Sequence, residues 1–120
     1  MTTYQETLPS GARLQVDDDV LSQNGRYDLR LQPDGNLVLA DLQTNTALWD
    51  SRTKDLAANY CEMQPDGNLV MIGFPDVLWD LGTAGHPQAY LRVANDGNLI
   101  LVQPEVAVWD RFKGHGFRKV

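Results

Sequence analysis

Two short stretches of the chain carry a carboxylate and two amides in the same alternating pattern. The residues are Gln32, Asp34, Asn36 and Val38 in the first stretch, and Gln64, Asp66, Asn68 and Val70 in the second. In a strand, residues two apart share a face, so each set lies on one side. A carboxylate acceptor, amides that donate and accept, and one apolar contact suit a neutral polyol such as a sugar ring.

A third and weaker copy of this motif follows further along the chain. It keeps Asp96 and Asn98, but Ala94 takes the place of the glutamine and Ile100 that of the valine. No basic residue belongs to any of the three copies, so the pattern does not suit a phosphate. A single Pro-Asp-Gly-Asn stretch is more often a hairpin turn than a binding site. The repetition of the glutamine in two copies favours a site there.

Other residues recur with the motif and define an internal repeat. Each copy is preceded by a tyrosine (Tyr27, Tyr60, Tyr90) and followed by a Trp-Asp pair, in which the tryptophans, Trp49, Trp79 and Trp109, are spaced 30 residues apart. A repeat of this length cannot bury its own apolar face, whereas three that share a core can. We therefore expect the tryptophans to meet in the core near a threefold axis.

The elements that position the motif are predicted to be β-hairpins. Hydrophobic residues alternate with a period of two on either side of Pro33-Asp34-Gly35 and Pro65-Asp66-Gly67, and these tripeptides are typical of tight turns. No stretch of the sequence has a convincing helical pattern. An all-β barrel or prism with threefold pseudo-symmetry is the expected fold class.

The motif resembles the signature Gln-x-Asp-x-Asn-x-Val-x-Tyr of the bulb-type (monocot) mannose-binding lectin family. The resemblance extends from about Leu8 to Trp109 and includes Leu8-Pro9-Ser10-Gly11 and Asn24-Gly25-Arg26-Tyr27. It implies a β-prism II fold, with three four-stranded antiparallel sheets around a pseudo-threefold axis. It also implies up to one shallow sugar site per sheet.

The resemblance assigns roles to the motif residues. Asp34 and Asn36 would bind the axial 2-hydroxyl of mannose, Gln32 its 3-hydroxyl, and Val38 the apolar face of the ring. Asp66, Asn68, Gln64 and Val70 would act in the same way in a second site. Asp96, Asn98 and Ile100 would form at most a weaker third site.

The chain departs from the family signature at its last position. The tyrosine that would bind the 4-hydroxyl is replaced by Ala40, Ile72 and Val102 in the three copies. Because one hydrogen bond contributes about 1 kcal/mol, each site would be weak and would rely on multivalency. The alternative is a protein-interaction or structural module, or a lectin-like bacteriocin, on the same scaffold with degenerate sugar sites.

Length and composition limit the remaining functions. The 120 residues make one domain, with repeats at about 8–50, 51–80 and 81–110 and a tail at 111–120. The net charge of −6 argues against nucleic-acid binding. No apolar run is long enough for membrane insertion. No catalytic motif, metal-ligand spacing or cofactor-binding motif is present, so we predict no enzyme activity, no metal and no cofactor.

Location and oligomeric state are also predicted from the sequence. The first residues lack the pattern of a secretory signal, which predicts a cytoplasmic protein or one released without a cleaved signal peptide. Cys61 is the only cysteine, and its position within a strand pattern predicts a packed side chain. In the family the C-terminal strand often crosses to a partner subunit, which predicts a homodimer through the basic and aromatic tail. A loose tail is the alternative, and a nucleic-acid contact of the tail is less favoured.

Overall fold

Thirteen strands and no helix form the part of the chain that the computed structural model describes, which is residues 1–73, 76–104 and 106–112. The strands are β1 Thr3–Gln5, β2 Thr7–Leu8, β3 Arg13–Gln15, β4 Asp19–Leu21, β5 Tyr27–Leu31, β6 Leu37–Asp41, β7 Thr46–Asp50, β8 Tyr60–Met63, β9 Leu69–Ile72, β10 Val77–Asp80, β11 Tyr90–Val93, β12 Leu99–Gln103 and β13 Val106–Asp110. The predicted all-β fold class is confirmed.

The strands are arranged in three sheets, one for each repeat. The strand orders are β1-β4-β5-β6-β7, β10-β9-β8-β3 and β13-β12-β11-β2. Each sheet contains four antiparallel strands, which confirms the predicted three-sheet prism. The first sheet differs from the prediction because it has a fifth strand, β1, which pairs with β4 in parallel.

The beginning of the chain contributes a strand to every sheet. After β1, strand β2 pairs with β11 in the third sheet, and β3 pairs with β8 in the second. Strand β4 then pairs with β5 in the first sheet. Residues 8–15, which the sequence places in the first repeat, therefore lie in the sheets of the other two. This segment joins the three repeats by backbone hydrogen bonds.

The inner faces of the three sheets form one core that is rich in leucine. The large side chains that are fully buried are Leu8, Leu14, Leu29, Leu31, Leu37, Leu39, Met63, Leu69, Met71, Leu91, Leu99 and Leu101. The three tryptophans meet, as expected: the ring of Trp49 lies edge to face with those of Trp79 and Trp109, with centroids 6.1 Å away in both cases. Trp109 is buried, and the other two are half-buried against the core.

Tyr27 is not equivalent to the tyrosines of the other two repeats. It lies seven residues before Asp34, whereas Tyr60 and Tyr90 lie six residues before Asp66 and Asp96. Because side chains alternate along a strand, this offset of one residue places Tyr27 on the opposite face. It is buried, and its ring packs against Gly97 in the third hairpin turn.

Candidate functional site

The three motif copies share one hydrogen-bonded turn. In the first copy the backbone N–H of Gln32 donates to the carbonyl of Asn36 at 2.9 Å, and Gly35 N donates to the carbonyl of Gln32 at 2.9 Å. The Asn36 N–H also donates to Oδ1 of Asp34 at 2.9 Å. The equivalent aspartate bonds in the other two copies measure 2.9 Å as well. One oxygen of each aspartate therefore supports the turn, and the other can accept a bond from a ligand.

The amide of Asn36 is held by three groups from the end of β7 and the loop that follows it. Its Nδ2 donates to Oδ2 of Asp50 at 2.9 Å. Its Oδ1 accepts from Ser51 Oγ at 3.2 Å and from the Thr53 N–H at 3.1 Å. The residue is 7% exposed, so its orientation is fixed. One Nδ2 hydrogen is left that can bind a ligand.

The second copy is built in the same way but with fewer bonds. Oδ1 of Asn68 accepts from the Thr83 N–H at 3.1 Å, and within the described ranges no hydrogen bond joins Asn68 to Asp80. Both Nδ2 hydrogens of Asn68 are therefore available to a ligand. Thr83 Oγ1 donates to the carbonyl of Gly67 at 2.7 Å, as Thr53 Oγ1 does to Gly35 at 2.6 Å. The same loop contact thus fixes both turns.

The third copy has lost part of this support. Oδ1 of Asn98 is buried and accepts no hydrogen bond from any residue that the structure describes. The residue equivalent to Thr53 and Thr83 is number 113, which lies outside the described residues. Arg111 Nε donates to the Gly97 carbonyl at 2.6 Å in place of the threonine hydroxyl. The weaker similarity of this copy is therefore accompanied by a different local structure.

Each motif valine or isoleucine is flanked by polar side chains on the neighbouring strands. Val38 lies between Arg30 on β5 and Asp50 on β7. The equivalent rows are Glu62, Val70 and Asp80 in the second sheet and Arg92, Ile100 and Asp110 in the third. Val38 is 9% exposed and Val70 only 3%, so each offers a ligand little apolar surface.

The aspartates of the Trp-Asp pairs also lie beside the motif, although the motif itself does not include them. A signal for them exists in the sequence. Because Trp49 faces the core, the next residue, Asp50, must face outward beside the motif. The structure places Asp50 opposite Val38 and bonds it to Asn36.

In each sheet, the residue that replaces the motif tyrosine lies opposite a polar or aromatic residue of the adjacent strand. Ala40 lies opposite Asp28 on β5. Ile72 lies opposite Tyr60, and Val102 lies opposite Tyr90. The second and third sheets therefore carry a tyrosine on the adjacent strand, whereas the first sheet carries a carboxylate.

This carboxylate belongs to a buried charged cluster. Arg30 donates to Oδ2 of Asp19 and to Oδ2 of Asp28 at 3.3 Å each. Asp28 is 5% exposed, and its Oδ1 has no hydrogen-bond partner in the described part of the chain. Burial, followed by a hydrogen bond and the negative charge of Asp19, raises the pKa of Asp28 to about 7, although Arg30 acts in the opposite direction.

Replacing Asp28 should change how stability depends on pH. Because folding raises the pKa of this carboxyl, the folded protein loses stability as the pH rises from the unfolded pKa, about 3.9, to the folded pKa, about 7. Asp28→Asn should therefore raise the free energy of unfolding by about 1 kcal/mol at pH 8, and the gain should vanish below about pH 4. Urea unfolding at several pH values measures this. Asp76→Asn removes the same charge at an exposed position, and a similar pH profile in both variants would contradict the prediction.

Two other titratable groups have structural roles outside the motif. Arg26 donates to both carboxylate oxygens of Asp41, at 3.0 and 2.8 Å, and this lowers the pKa of Asp41 well below its usual range. Burial raises the pKa of the Cys61 thiol to about 12. The cysteine is fully buried and stays protonated, so it is packed rather than reactive.

Neither a metal centre nor a membrane-spanning helix is found in the described residues. Within 1–73, 76–104 and 106–112 no three side chains of His, Cys, Asp or Glu are grouped as metal ligands. The same ranges contain no helix that is long and apolar enough to cross a bilayer.

The structure is similar to solved structures of lectins. The Japanese Marasmius oreades lectin has a TM-score of 0.80 and 28% identity, over 92% of this chain and 93% of that one. A monomeric monocot mannose-binding lectin from Gastrodia elata has a TM-score of 0.80 and 30% identity, over 91% and 98%. The mannose-specific agglutinin from snowdrop (Galanthus nivalis) bulbs, complexed with methyl-α-D-mannoside, has a TM-score of 0.72 and 27% identity, over 81% and 88%. No protein-family model and no curated protein matches the sequence.

The fold, the motif geometry and these similarities define a carbohydrate-binding lectin. The chain belongs to the bulb-type mannose-binding lectin family. The predictions of the family, of the β-prism II fold and of a non-enzymatic protein are confirmed, because the structures that it matches are lectins.

Proposed function

We propose that the chain binds mannose-containing glycans through two sites on the outer faces of its first and second sheets. The first site consists of Gln32, Asp34, Asn36 and Val38, and the second of Gln64, Asp66, Asn68 and Val70. The observation that carries the proposal is the shared turn, in which one aspartate oxygen and at least one asparagine N–H remain for a ligand.

The chemistry of these groups suits an axial hydroxyl. A hydroxyl both donates and accepts, so it can donate to the free oxygen of Asp34 and accept from Nδ2 of Asn36. Mannose differs from glucose in its axial 2-hydroxyl, and this pair is therefore where the two sugars would be distinguished. The snowdrop lectin, which was solved with methyl-α-D-mannoside, supports the choice of sugar.

Binding at each site is proposed to be weak and strengthened by multivalency. The buried valines and the missing tyrosine both reduce contact with the sugar. A Kd of about 1 mM corresponds to only about 4 kcal/mol, and two sites on one molecule raise the avidity for a branched glycan. The third copy, with Asp96, Asn98 and Ile100, contributes less.

We also propose a homodimer through the C-terminal strand, and a protein that is cytoplasmic or released without a cleaved signal peptide. Strand β13 pairs with β12 of its own chain, so the third sheet has four strands within one molecule. Phe112 is 56% exposed and could contact a partner, and residues 113–120 of the tail lie outside the described residues. Light scattering measures the oligomeric state and thus the number of sites per particle.

The function is tested by replacing both motif aspartates with asparagine. Asparagine keeps an oxygen for the turn but replaces the second acceptor with a donor, so the fold should remain while the sugar contact is lost. The variant Asp34→Asn with Asp66→Asn should lose retention on immobilised mannose, by about tenfold or more in affinity. Asp96→Asn in the third copy is the matched control and should be retained like the natural chain.

Elution with free sugars identifies the specificity. Methyl-α-mannoside should release the natural chain, and methyl-α-glucoside should not. If the double variant is retained as strongly as the natural chain, the motif does not bind sugar. The interaction-module alternative would then be favoured.

A further inference from the structure

An open cleft of about 450 Å³ lies on the third sheet, beside the third motif copy but lined by none of the motif residues. It is lined by Glu6, Thr7, Pro9, Ser10, Tyr90 and Arg92. Thr7 on β2 pairs with Arg92 on β11, and the next pair, Leu8 with Leu91, is fully buried. Because side chains alternate, Thr7 and Arg92 face outward, and the cleft lies on the outer face of the sheet.

An ion pair forms one side of this cleft. Nε of Arg92 lies 3.0 Å from Oε2 of Glu6, and the two side chains are 44% and 26% exposed. Nε of Arg92 is itself buried and is not aligned for a hydrogen bond to Glu6. The two terminal nitrogens of the guanidinium donate no hydrogen bond to a described residue, so their N–H groups are the ones available to a ligand, next to a carboxylate that can accept.

The backbone fixes the position of Glu6. Its N–H donates to the carbonyl of Leu21 in the first sheet at 2.8 Å, and its carbonyl accepts from the Val93 N–H in the third sheet at 2.8 Å. Its φ of 70° lies in the left-handed region, which is costly for a residue other than glycine. The backbone of Glu6 is thus fixed at the edge of the cleft, and its carboxylate lies beside Arg92.

The equivalent positions of the other two sheets carry different side chains or contacts. In the second sheet the guanidinium carbon of Arg13 lies 4.2 Å from the ring centroid of Tyr60, and Arg13 also pairs with Glu62 at 3.2 Å. In the first sheet Asp28 occupies the position of the tyrosine. In the third sheet no cation among the described residues lies over the ring of Tyr90. The third sheet, whose motif copy is weakest, therefore has a half-buried tyrosine ring that no described cation covers.

We infer that this cleft is a second kind of carbohydrate site, which binds a neutral pyranose on the ring of Tyr90. Aromatic surface with a few placed polar groups is typical of small-molecule sites of this volume. Arg92 donates to one hydroxyl of the sugar and Glu6 accepts from its neighbour. Because the two charges balance, the cleft favours a neutral sugar over a uronic acid. The inference rests on the proposed lectin function for its ligand class, but it uses none of the motif residues.

The site is tested in a variant that lacks all three motif aspartates, Asp34→Asn with Asp66→Asn and Asp96→Asn, because the third motif copy lies beside Arg92. Methyl glycosides of mannose, glucose and galactose, and methyl glucuronide as a charged comparison, are titrated to about 10 mM while backbone amide shifts are recorded by NMR. We expect at least one of them to shift the amides of Thr7, Tyr90 and Arg92 in a saturable way. Tyr90→Ala should weaken this binding about tenfold, and Ser10→Trp, at an exposed position, should block it by filling the cleft.

Sugar binding at the motif sites and sugar binding in the cleft are tested by separate controls and outcomes. Tyr60→Ala removes the equivalent tyrosine of the second sheet and should leave the shifts at the cleft unchanged. The inference is overturned if no glycoside gives saturable shifts, if Tyr90→Ala binds as well as its parent, or if only methyl glucuronide binds. Loss of retention on mannose in the double variant, with the cleft shifts intact, would support both proposals. Unchanged retention of the double variant on mannose would contradict the motif sites but not the cleft.

Discussion

Gly67→Ala is expected to lower the free energy of unfolding by about 3 kcal/mol and to abolish binding at the second motif site. A Cβ atom at this position would overlap the carbonyl oxygen of His86 and lie 2.8 Å from its carbonyl carbon. The φ of +92° adds about 1 kcal/mol of strain for alanine, and the overlap about 2 kcal/mol more. The backbone cannot yield easily, because the N–H groups of Gly85 and His86 donate to the carbonyl of Asp66 at 3.0 and 2.9 Å.

A second glycine separates the two causes. Gly85 has a φ of +91°, and a Cβ there would meet no atom within 4 Å. Gly85→Ala should therefore cost only the backbone strain, about 1 kcal/mol, and should keep sugar binding. Urea unfolding and mannoside titration of both variants measure these effects. Equal losses of stability in the two variants would show that the contact with His86 is not important.

The close approach at Gly67 is one of three contacts that close the ring of repeats. Gly35 packs against the chain at Thr53 and Ala58, which leads into the second repeat. Gly67 packs against the chain that leads into the third, and Gly97 against Tyr27 in the first. Each motif turn thus contacts the next repeat around the axis. The Asp-Gly-Asn sequence has a structural role in all three copies, in addition to any role in binding.

This double role explains why the motif predicts so much of the fold. The turn residues and the period of two determine the hairpins, and the tryptophan spacing indicates that three hairpins surround one core. The outward position of Asp34 and Asn36 follows from alternation alone. These features depend on residues close together in the sequence, which is why they could be predicted.

Other features depend on pairings between distant residues and have no local signal. Strand β2 is two residues long, Thr7–Leu8, and nothing in those residues indicates that they pair with β11 in the third sheet. The cleft could not be predicted for the same reason, since Glu6 and Arg92 are 86 positions apart in the sequence. Two of the three bonds that hold Asn36 come from Ser51 and Thr53, 15 and 17 positions later, in a loop with no regular pattern.

Trp49→Ala is expected to lower the free energy of unfolding by about 3 kcal/mol, and by about 1 kcal/mol more than Trp79→Ala does. The reason for the difference is geometric. The ring of Trp49 is edge to face with both other tryptophans, whereas Trp79 contacts only Trp49 among the described rings. Each edge-to-face pair contributes about 1 kcal/mol beyond the buried area. Urea unfolding followed by circular dichroism avoids the loss of the fluorescent group.

The same substitution should weaken the first sugar site and not the second. Trp49 pairs with Leu39 across β6 and β7, and the next residue on β7, Asp50, orients the amide of Asn36. A shift of β7 into the space left by the indole would move Asp50 away from Asn36. NMR shifts with methyl-α-mannoside should therefore weaken at Asn36 and persist at Asn68. If Trp79→Ala were the more destabilising variant, Trp49 would not be the central ring. If both sites weakened equally in Trp49→Ala, the coupling from the core to the first site through β7 would be wrong.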